Sequence, residues 1–404
     1  MSGRPVLRRR RILLVGEGAL PGPAVRETRF SSLRLAQFAA ALDEHDVTVV
    51  DCLAGDAGLR ARGIDPARPD RHAADVVVSA GPYGPTRLAL RVAGPRPLWI
   101  DLPGDPFADA QMYAWNTFDP TPAAHVETVA RDADRVFRPA LARADRFSSV
   151  SGASRHALLG QLGLLGRLVR APPGAEWVHV VPIAWAFGGL EERAPRPVPG
   201  RPLRVLLAGS LNTWFDTSMA LDGLLAAMDE VDIEVDVTGG AVDGHHARDA
   251  EVVEGRIRAS RHAARFRWHG WLPEAAFATV LADADVGLCV DRPGFEPELG
   301  SRTRVLLYLH QGLDVIATAR GELVRELVAL GYVHAVPTGD GAAVARSLVA
   351  LARGEVARCR PDRGLLRAAY TTEATTRALR EWARVPERRP PAPGRRGLLD
   401  RWRR

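Results

Sequence analysis

The chain contains no lysine: all 54 positions in its lysine-plus-arginine count are arginine. A Schiff-base lysine is therefore excluded, and so is the lysine of a Walker-type phosphate loop. Any phosphate must be held by arginine, backbone N–H groups or hydroxyls. Cysteine is scarce too. Cys52, Cys289 and Cys359 are widely scattered, without metal-type spacing. Cys52 and Cys289 lie in or beside apolar strand-like runs, which reads as buried, reduced thiols. No apolar run approaches the roughly 18–20 residues of a membrane span. The start, "MSGRPVLRRRRILLVGEG", is basic, but its apolar run is too short for a signal peptide and reads as a first strand. A cytoplasmic protein is expected. The net charge of +6 includes no basic stripe interleaved with aromatics, so nucleic acid is not an expected partner.

What is present is a repeated rhythm. The 404 residues, 46% hydrophobic, suffice for two α/β domains. In the first half, "RILLVGEG", "VTVVDC", "ADVVVSAG", "PLWIDLPGD", "RFSSVSG" and "VHVVPIAW" read as strands separated by helical segments. Such alternation implies a parallel sheet with helices on both faces. The polar, Pro-rich stretch 188–202 reads as a linker. The rhythm then restarts with "LRVLLAGS", "IEVDVTGG", "FRWHGWL" and "DVGLCVD". The expected organisation is an N-terminal Rossmann-like domain over 1–187 and a C-terminal one over 203–364, facing each other across a cleft. A helix over 365–386 returns to the first domain, and 387–404 is a disordered Pro/Arg-rich tail. Leu398, Leu399 and Trp402 among the tail's arginines suit contact with an anionic membrane surface; a solvated tail is the plainer reading.

The most informative stretch is "ELGSRTRVLLYLHQGLDVIAT", residues 298–318. Ser301 has N-cap chemistry, and Gly300 lets a ligand approach the backbone. Free N–H groups and the positive end of a helix dipole attract an anion there. Arg302 and Arg304 add bidentate donors for phosphate. Val305, Leu306 and Leu309 form the core face, Gly312 ends the helix, and "LDVIAT" is the next buried strand.

This stretch resembles the C-domain signature of the retaining GT-B glycosyltransferases of family 4, where a Gly-Ser-x-Thr-Lys loop leads into Leu-Leu-Glu-Tyr-Met-Ala-x-Gly-x-Pro-Val-Ile-Ala-Thr. The matches are Gly300, Ser301, Thr303, Arg304 (for lysine), Leu306, Tyr308, Gly312, Val315, Ile316, Ala317 and Thr318. "FRWHGWLPEAAFATVLADADVGLCV", "HAVPTGDGAAVARSLVALA", "VTGGAVD" and "LAGSLNTWFD" resemble further family segments, in the family's order. "LVGEGALPGPAVRETRFSSLRLAQFAAALDEHDVTVVD" and "VHVVPIAW" extend the resemblance through the first half, so that it spans most of 11–385. Two positions depart from the pattern. Leu307 stands where the family has a ribose-binding glutamate, and Asp314 where it has proline. The paired upstream glutamate falls at Leu299, with Glu298 adjacent.

The resemblance implies an α/β GT-B fold and transfer of a sugar from a nucleotide-diphosphate donor to a glycan, lipid-linked or small-molecule acceptor. It implies a retaining, metal-independent reaction without a cofactor, in cell-surface polysaccharide synthesis at the inner face of the membrane. Expected donor contacts are Gly209, Ser210, Asn212, Thr213, Gly239, Gly240, Gly300, Ser301, Arg302 and Arg304. Glu298 is the candidate for holding the sugar or ribose. Asp101 and Asp105, at a strand end of the first domain, are candidates to orient or deprotonate an acceptor hydroxyl. Two alternatives remain at this stage: a non-catalytic GT-B subunit, given Leu307, and a nucleotide-sugar epimerase. "GEGALPG" is not a dinucleotide fingerprint, because its third glycine is displaced. The two "DAD" runs, 132–134 and 283–285, fall in or at the end of helical segments and do not read as metal sites; His245 and His246 read as loop residues.

Overall fold

The computed structural model describes residues 9–18, 20, 30–187, 189–194, 201–211, 214–240 and 247–392. Asn212, Thr213, His245, His246, positions 19, 21 and 22 of the glycine loop, much of the linker and the tail from 393 onward lie outside the described residues.

Short runs of Val, Leu and Ile bounded by Gly, Asp and Pro become fully buried parallel strands. The first sheet holds β1 (Arg11–Gly16), β2 (Asp46–Asp51), β3 (Val76–Ser79), β4 (Leu98–Asp101), β5 (Arg146–Ser149) and β6 (Val178–Val180). Their spatial order is β2-β1-β3-β4-β5-β6, all pairs parallel. The second sheet holds β7 (Leu203–Leu207), β8 (Ile233–Thr238), β9 (Phe266–Gly270), β10 (Val286–Cys289), β11 (Asp314–Thr318) and β12 (His334–Val336). Its order is β12-β11-β10-β7-β8-β9, again all parallel. In each sheet the strand order reverses once, beside β1 and beside β7. Ligands of open α/β sheets bind at such a reversal, outside the carboxyl ends of the strands. The second sheet's reversal lies between β7 and β10.

Each sheet is covered on both faces by apolar helices. One large cluster packs Leu224, Leu348 and Val344 against Val205, Val235 and Val286; another packs Val305, Leu306 and Leu309 against the opposite face. The last helices, Thr372–Thr375 and Arg377–Arg384, lie on the helix Phe30–Ala41 of the first sheet. Leu379 and Trp382 are buried there, and Trp382 meets Trp99 of β4 at 5.4 Å between ring centroids. Among the described residues no helix is long and apolar enough to cross a membrane.

The two lobes touch through specific bonds. Ser151 caps the helix Gly152–Leu164 of the first lobe, and its Oγ donates to the Leu299 carbonyl of the second at 2.7 Å. The free N–H groups of Gly152 and Ala153 donate to the Glu322 carboxylate, each at 3.2 Å. A helix N-terminus of one lobe is thus satisfied by an acidic residue of the other.

Candidate functional site

Four glycines line the carboxyl ends of β7, β8 and β9. Gly209, Gly239, Gly240 and Gly270 all have positive φ, at 96°, 85°, 133° and 65°. They knit to one another through backbone bonds: Gly239 N–H to Gly270 C=O at 2.7 Å, and Gly240 N–H to Gly209 C=O at 3.3 Å. A Cβ on Gly239 would stand 2.2 Å from the Gly209 carbonyl oxygen. Only glycine fits that backbone angle and that approach. The result is a side-chain-free floor beside the strand reversal.

Arg304 overhangs this floor. Its guanidinium would stand 3.0 Å from a Cβ on Gly209, donates weakly to the Ser210 carbonyl at 3.4 Å and lies 5.2 Å from the Phe215 ring centroid. Among the described residues it has no carboxylate partner, and it keeps partial solvent access. Its helix, Thr303–His310, is placed by Val305, Leu306 and Leu309, all fully buried, and by Tyr308. The Tyr308 ring packs on Gly287 of β10, and its hydroxyl oxygen accepts the Ala208 N–H at 3.2 Å. Thr303 Oγ1, at the helix start, is buried without a hydrogen-bond partner.

Several expected site residues do other work. Arg302 is buried and fully committed: Nε to Asp291 at 2.7 Å, and both terminal nitrogens to Glu296 at 3.0 and 2.7 Å. Burial works against its charge, but Asp291 and Glu296 overcome this and raise its pKa well above the ordinary value. Arg302 is a loop anchor, not a phosphate ligand. Gly300 belongs to the same anchor, because a Cβ there would lie 2.6 Å from Glu296 Oε1. Ser301 is not the N-cap: the helix begins at Thr303, and Arg302 occupies the cap position without a side-chain bond. The Leu307 side chain packs against the apolar cluster, and no carboxylate replaces it on that helix.

Asp101 is completely buried. It forms a two-pronged pair with Arg34, at 2.8 and 2.6 Å, and accepts from Ser148 Oγ at 2.6 Å. Asp105 caps the helix Pro106–Asn116, accepting from the N–H groups of Phe107 and Ala108 at 3.0 and 2.9 Å, and takes the Gln161 amide on its other oxygen. Neither is placed to serve as an acceptor base. Both satisfy donors that folding has buried. The sequence does carry a signal for the Asp105 role, since Asp-Pro before an apolar run is a helix start.

Glu298 does face the space between the lobes. It pairs with Arg320, and both line a cleft of about 510 Å³ shared with Gln111, Met112, Trp115 and Asn116 of the first lobe and Pro293, Gly294 and Phe295 of the second. Behind this cleft, Asp109 of the first lobe faces Glu296. Burial, then the Glu296 charge, raises the Asp109 pKa to about 7.

The two Asp-Ala-Asp runs and the remaining polar clusters are also engaged elsewhere. Asp132 and Asp134 pair with Arg135 and Arg138 on one helix, and Asp283 and Asp285 with Arg204 and Arg201. His269 bonds Asp236 at 2.7 Å. Asp314, His334 and Cys359 offer ligand atoms within 4.8 Å of one another, at the amino ends of β11 and β12, the far end of the sheet from the cleft. Asp314 is already neutralised there by Arg358 and accepts the Cys359 N–H at 2.6 Å.

No family model and no curated protein matches the chain. Solved structures do. A sucrose-phosphate synthase from Thermosynechococcus elongatus is similar at a TM-score of 0.63 and 15% identity, over 93% of this chain and 98% of that one. HepE from Anabaena, in complex with UDP-glucose, is similar at 0.59 and 16%, over 93% and 99%. A trehalose-6-phosphate synthase from E. coli, bound with UDP-2-fluoro glucose, is similar at 0.56 and 11%, over 94% and 100%. Together with two parallel six-stranded lobes facing across a cleft, these likenesses show that the chain has the GT-B fold of the glycosyltransferases.

Proposed function

We propose that this chain is a glycosyltransferase that takes a sugar from a nucleotide-diphosphate donor and passes it to a hydroxyl acceptor. The observation that carries the reading is Arg304, a cation with no carboxylate partner among the described residues, held against the glycine floor at the β7–β10 reversal. The diphosphate lies on Gly209, Gly239 and Gly240, which let it approach the backbone closely. Arg304 and the start of its helix neutralise the charge that grows on the diphosphate as the glycosidic bond breaks. A fixed arginine does this without a metal ion. The Glu298–Arg320 pair, in the cleft beyond, holds the hydroxyls of the transferred sugar. The family resemblance supports a retaining outcome and a place in cell-surface polysaccharide assembly, with the basic tail against an anionic membrane face. The UDP-sugar complexes of HepE and of the trehalose-6-phosphate synthase support UDP as the nucleotide.

The test is thermal stabilisation of the full chain by UDP-, GDP-, CMP- and dTDP-sugars. One nucleotide is expected to raise the melting temperature, and Arg304→Ala is expected to weaken that nucleotide's affinity about 10- to 100-fold, the worth of a charge-assisted contact, and so to shrink the shift. An unchanged shift in the variant removes Arg304 from the donor site. Stabilisation without transfer or slow hydrolysis of the donor supports the non-catalytic subunit instead, the reading that Leu307 favours.

A further inference from the structure

The cleft between the lobes has walls of an unusual kind. Trp115, on the helix Pro106–Asn116, is 60% exposed, and Phe295, on the facing loop, is 61% exposed. Both line the same space of about 510 Å³, a volume in the range of small-ligand sites. Large aromatic side chains gain little from standing in water, and these two stand at one opening. Their neighbours are hydrogen-bonding groups with capacity to spare. Among the described residues Asn116 Nδ2 reaches only the Met112 sulfur, at 3.8 Å, and Gln111 is exposed. Arg320 Nε is buried without a hydrogen-bond partner, while its terminal nitrogen engages Glu298. The loop is firmly seated: Gly294 lies so close to Met112 that a Cβ would meet the sulfur at 2.4 Å.

Flat aromatic faces with a rim of amide, carboxylate and guanidinium match one class of ligand. A pyranose ring presents an apolar C–H face and a polar equatorial edge. An alkyl chain would cover the aromatics but would desolvate Glu298, Arg320 and the amides without returning hydrogen bonds. We propose that this cleft is a subsite for the acceptor, that the acceptor is a saccharide, and that Trp115 and Phe295 stack on its ring while Gln111 and Asn116 grip its hydroxyls, beside the Glu298–Arg320 pair that holds the transferred sugar. This rests on the glycosyltransferase reading and narrows its acceptor to one chemical class.

The test is saturation-transfer NMR on the full chain with the methyl glycosides of glucose, galactose, mannose and N-acetylglucosamine, with hexanol and uridine as controls. At least one glycoside is expected to receive saturation on its ring protons. Trp115→Ala and Phe295→Ala are each expected to weaken its affinity about tenfold, a typical loss for one stacked ring, and Trp115→Phe to restore most of it. Both side chains are exposed, so the variants are expected to melt with the wild type. The nucleotide-sugar stabilisation is measured on the same samples and is expected to survive both alanine changes. Donor stabilisation with no glycoside signal, or with a signal that ignores both variants, overturns the saccharide subsite and leaves the donor reading standing. A Trp115-dependent signal from hexanol or uridine, and from no glycoside, also overturns it. A Trp115-dependent glycoside signal in a chain that no nucleotide sugar stabilises removes the donor reading and keeps the subsite.

Discussion

Arg302 and Arg304 stand two positions apart and have opposite fates. Both are arginines at a helix start, and helix geometry turns successive odd positions to different sides. Arg302 points down between Asp291 and Glu296; Arg304 points over Gly209. The sequence shows two cations and cannot show which is spent on carboxylates 6 and 11 residues upstream. Asp101 is the mirror case, a carboxylate at a strand end that reads as reactive and is consumed by Arg34, 67 residues earlier. Asp101→Ala leaves the Arg34 guanidinium fully buried without its counter-charge. Its expected cost is about 3–5 kcal/mol, read from the denaturant midpoint with the slope checked. A variant that unfolds like the wild type but loses transfer would return Asp101 to the reaction.

At the scale of elements, most of the chain was legible. Strand runs, helical faces and the glycine pair after β8 follow from period and turn chemistry alone. Helix starts were less so: Ser301 has cap chemistry, yet the helix opens at Thr303, with Gly300 extended and the anchored Arg302 outside helical angles. Asp314 departs from the family's proline for a reason local to β11. Its carboxylate sits at the first position of the strand, pairs with Arg358 and accepts the Cys359 N–H, strapping the 354–362 segment under the sheet. Asp314→Ala is expected to cost roughly 3 kcal/mol, because Arg358 stays in place with its partner gone. Urea unfolding checks this; a change below about 0.5 kcal/mol would show that the strap carries no load.

At the scale of the molecule, the lobes meet through Ser151 and Leu299 and through Glu322 on the helix start at Gly152. Asp109 of the first lobe, pushed up by burial and then by the Glu296 charge of the second, has a pH signature. The Asp109 pKa is raised to about 7 in the folded protein, against an ordinary carboxylate value near ~4. Between those two pH values the folded state holds a proton that the unfolded chain has released. Stability therefore falls as pH rises across that window and is flat beyond it. Asp109→Asn carries no such proton. It is expected to melt above the wild type at pH 8, with the difference shrinking to nothing by pH 4. Melting curves across that range decide it; parallel curves for the two proteins would show that Asp109 holds no such proton.

By itself the sequence determined the class of the molecule: buried parallel strands alternating with helices, two such lobes, and phosphate chemistry limited to arginine and backbone because lysine is absent. Those features are local, written in periodicity, turn residues and composition. Tertiary structure decided which residues are left facing the space between the lobes. Arg302, Asp101, Asp105 and Gly300 are absorbed by partners that folding brings to them, while Arg304, Glu298 and Trp115 are left at the cleft. A buried charge must be paired and an exposed one need not be. That distinction depends on which distant carboxylate or carbonyl arrives beside each side chain, and only the packed chain sets those neighbours.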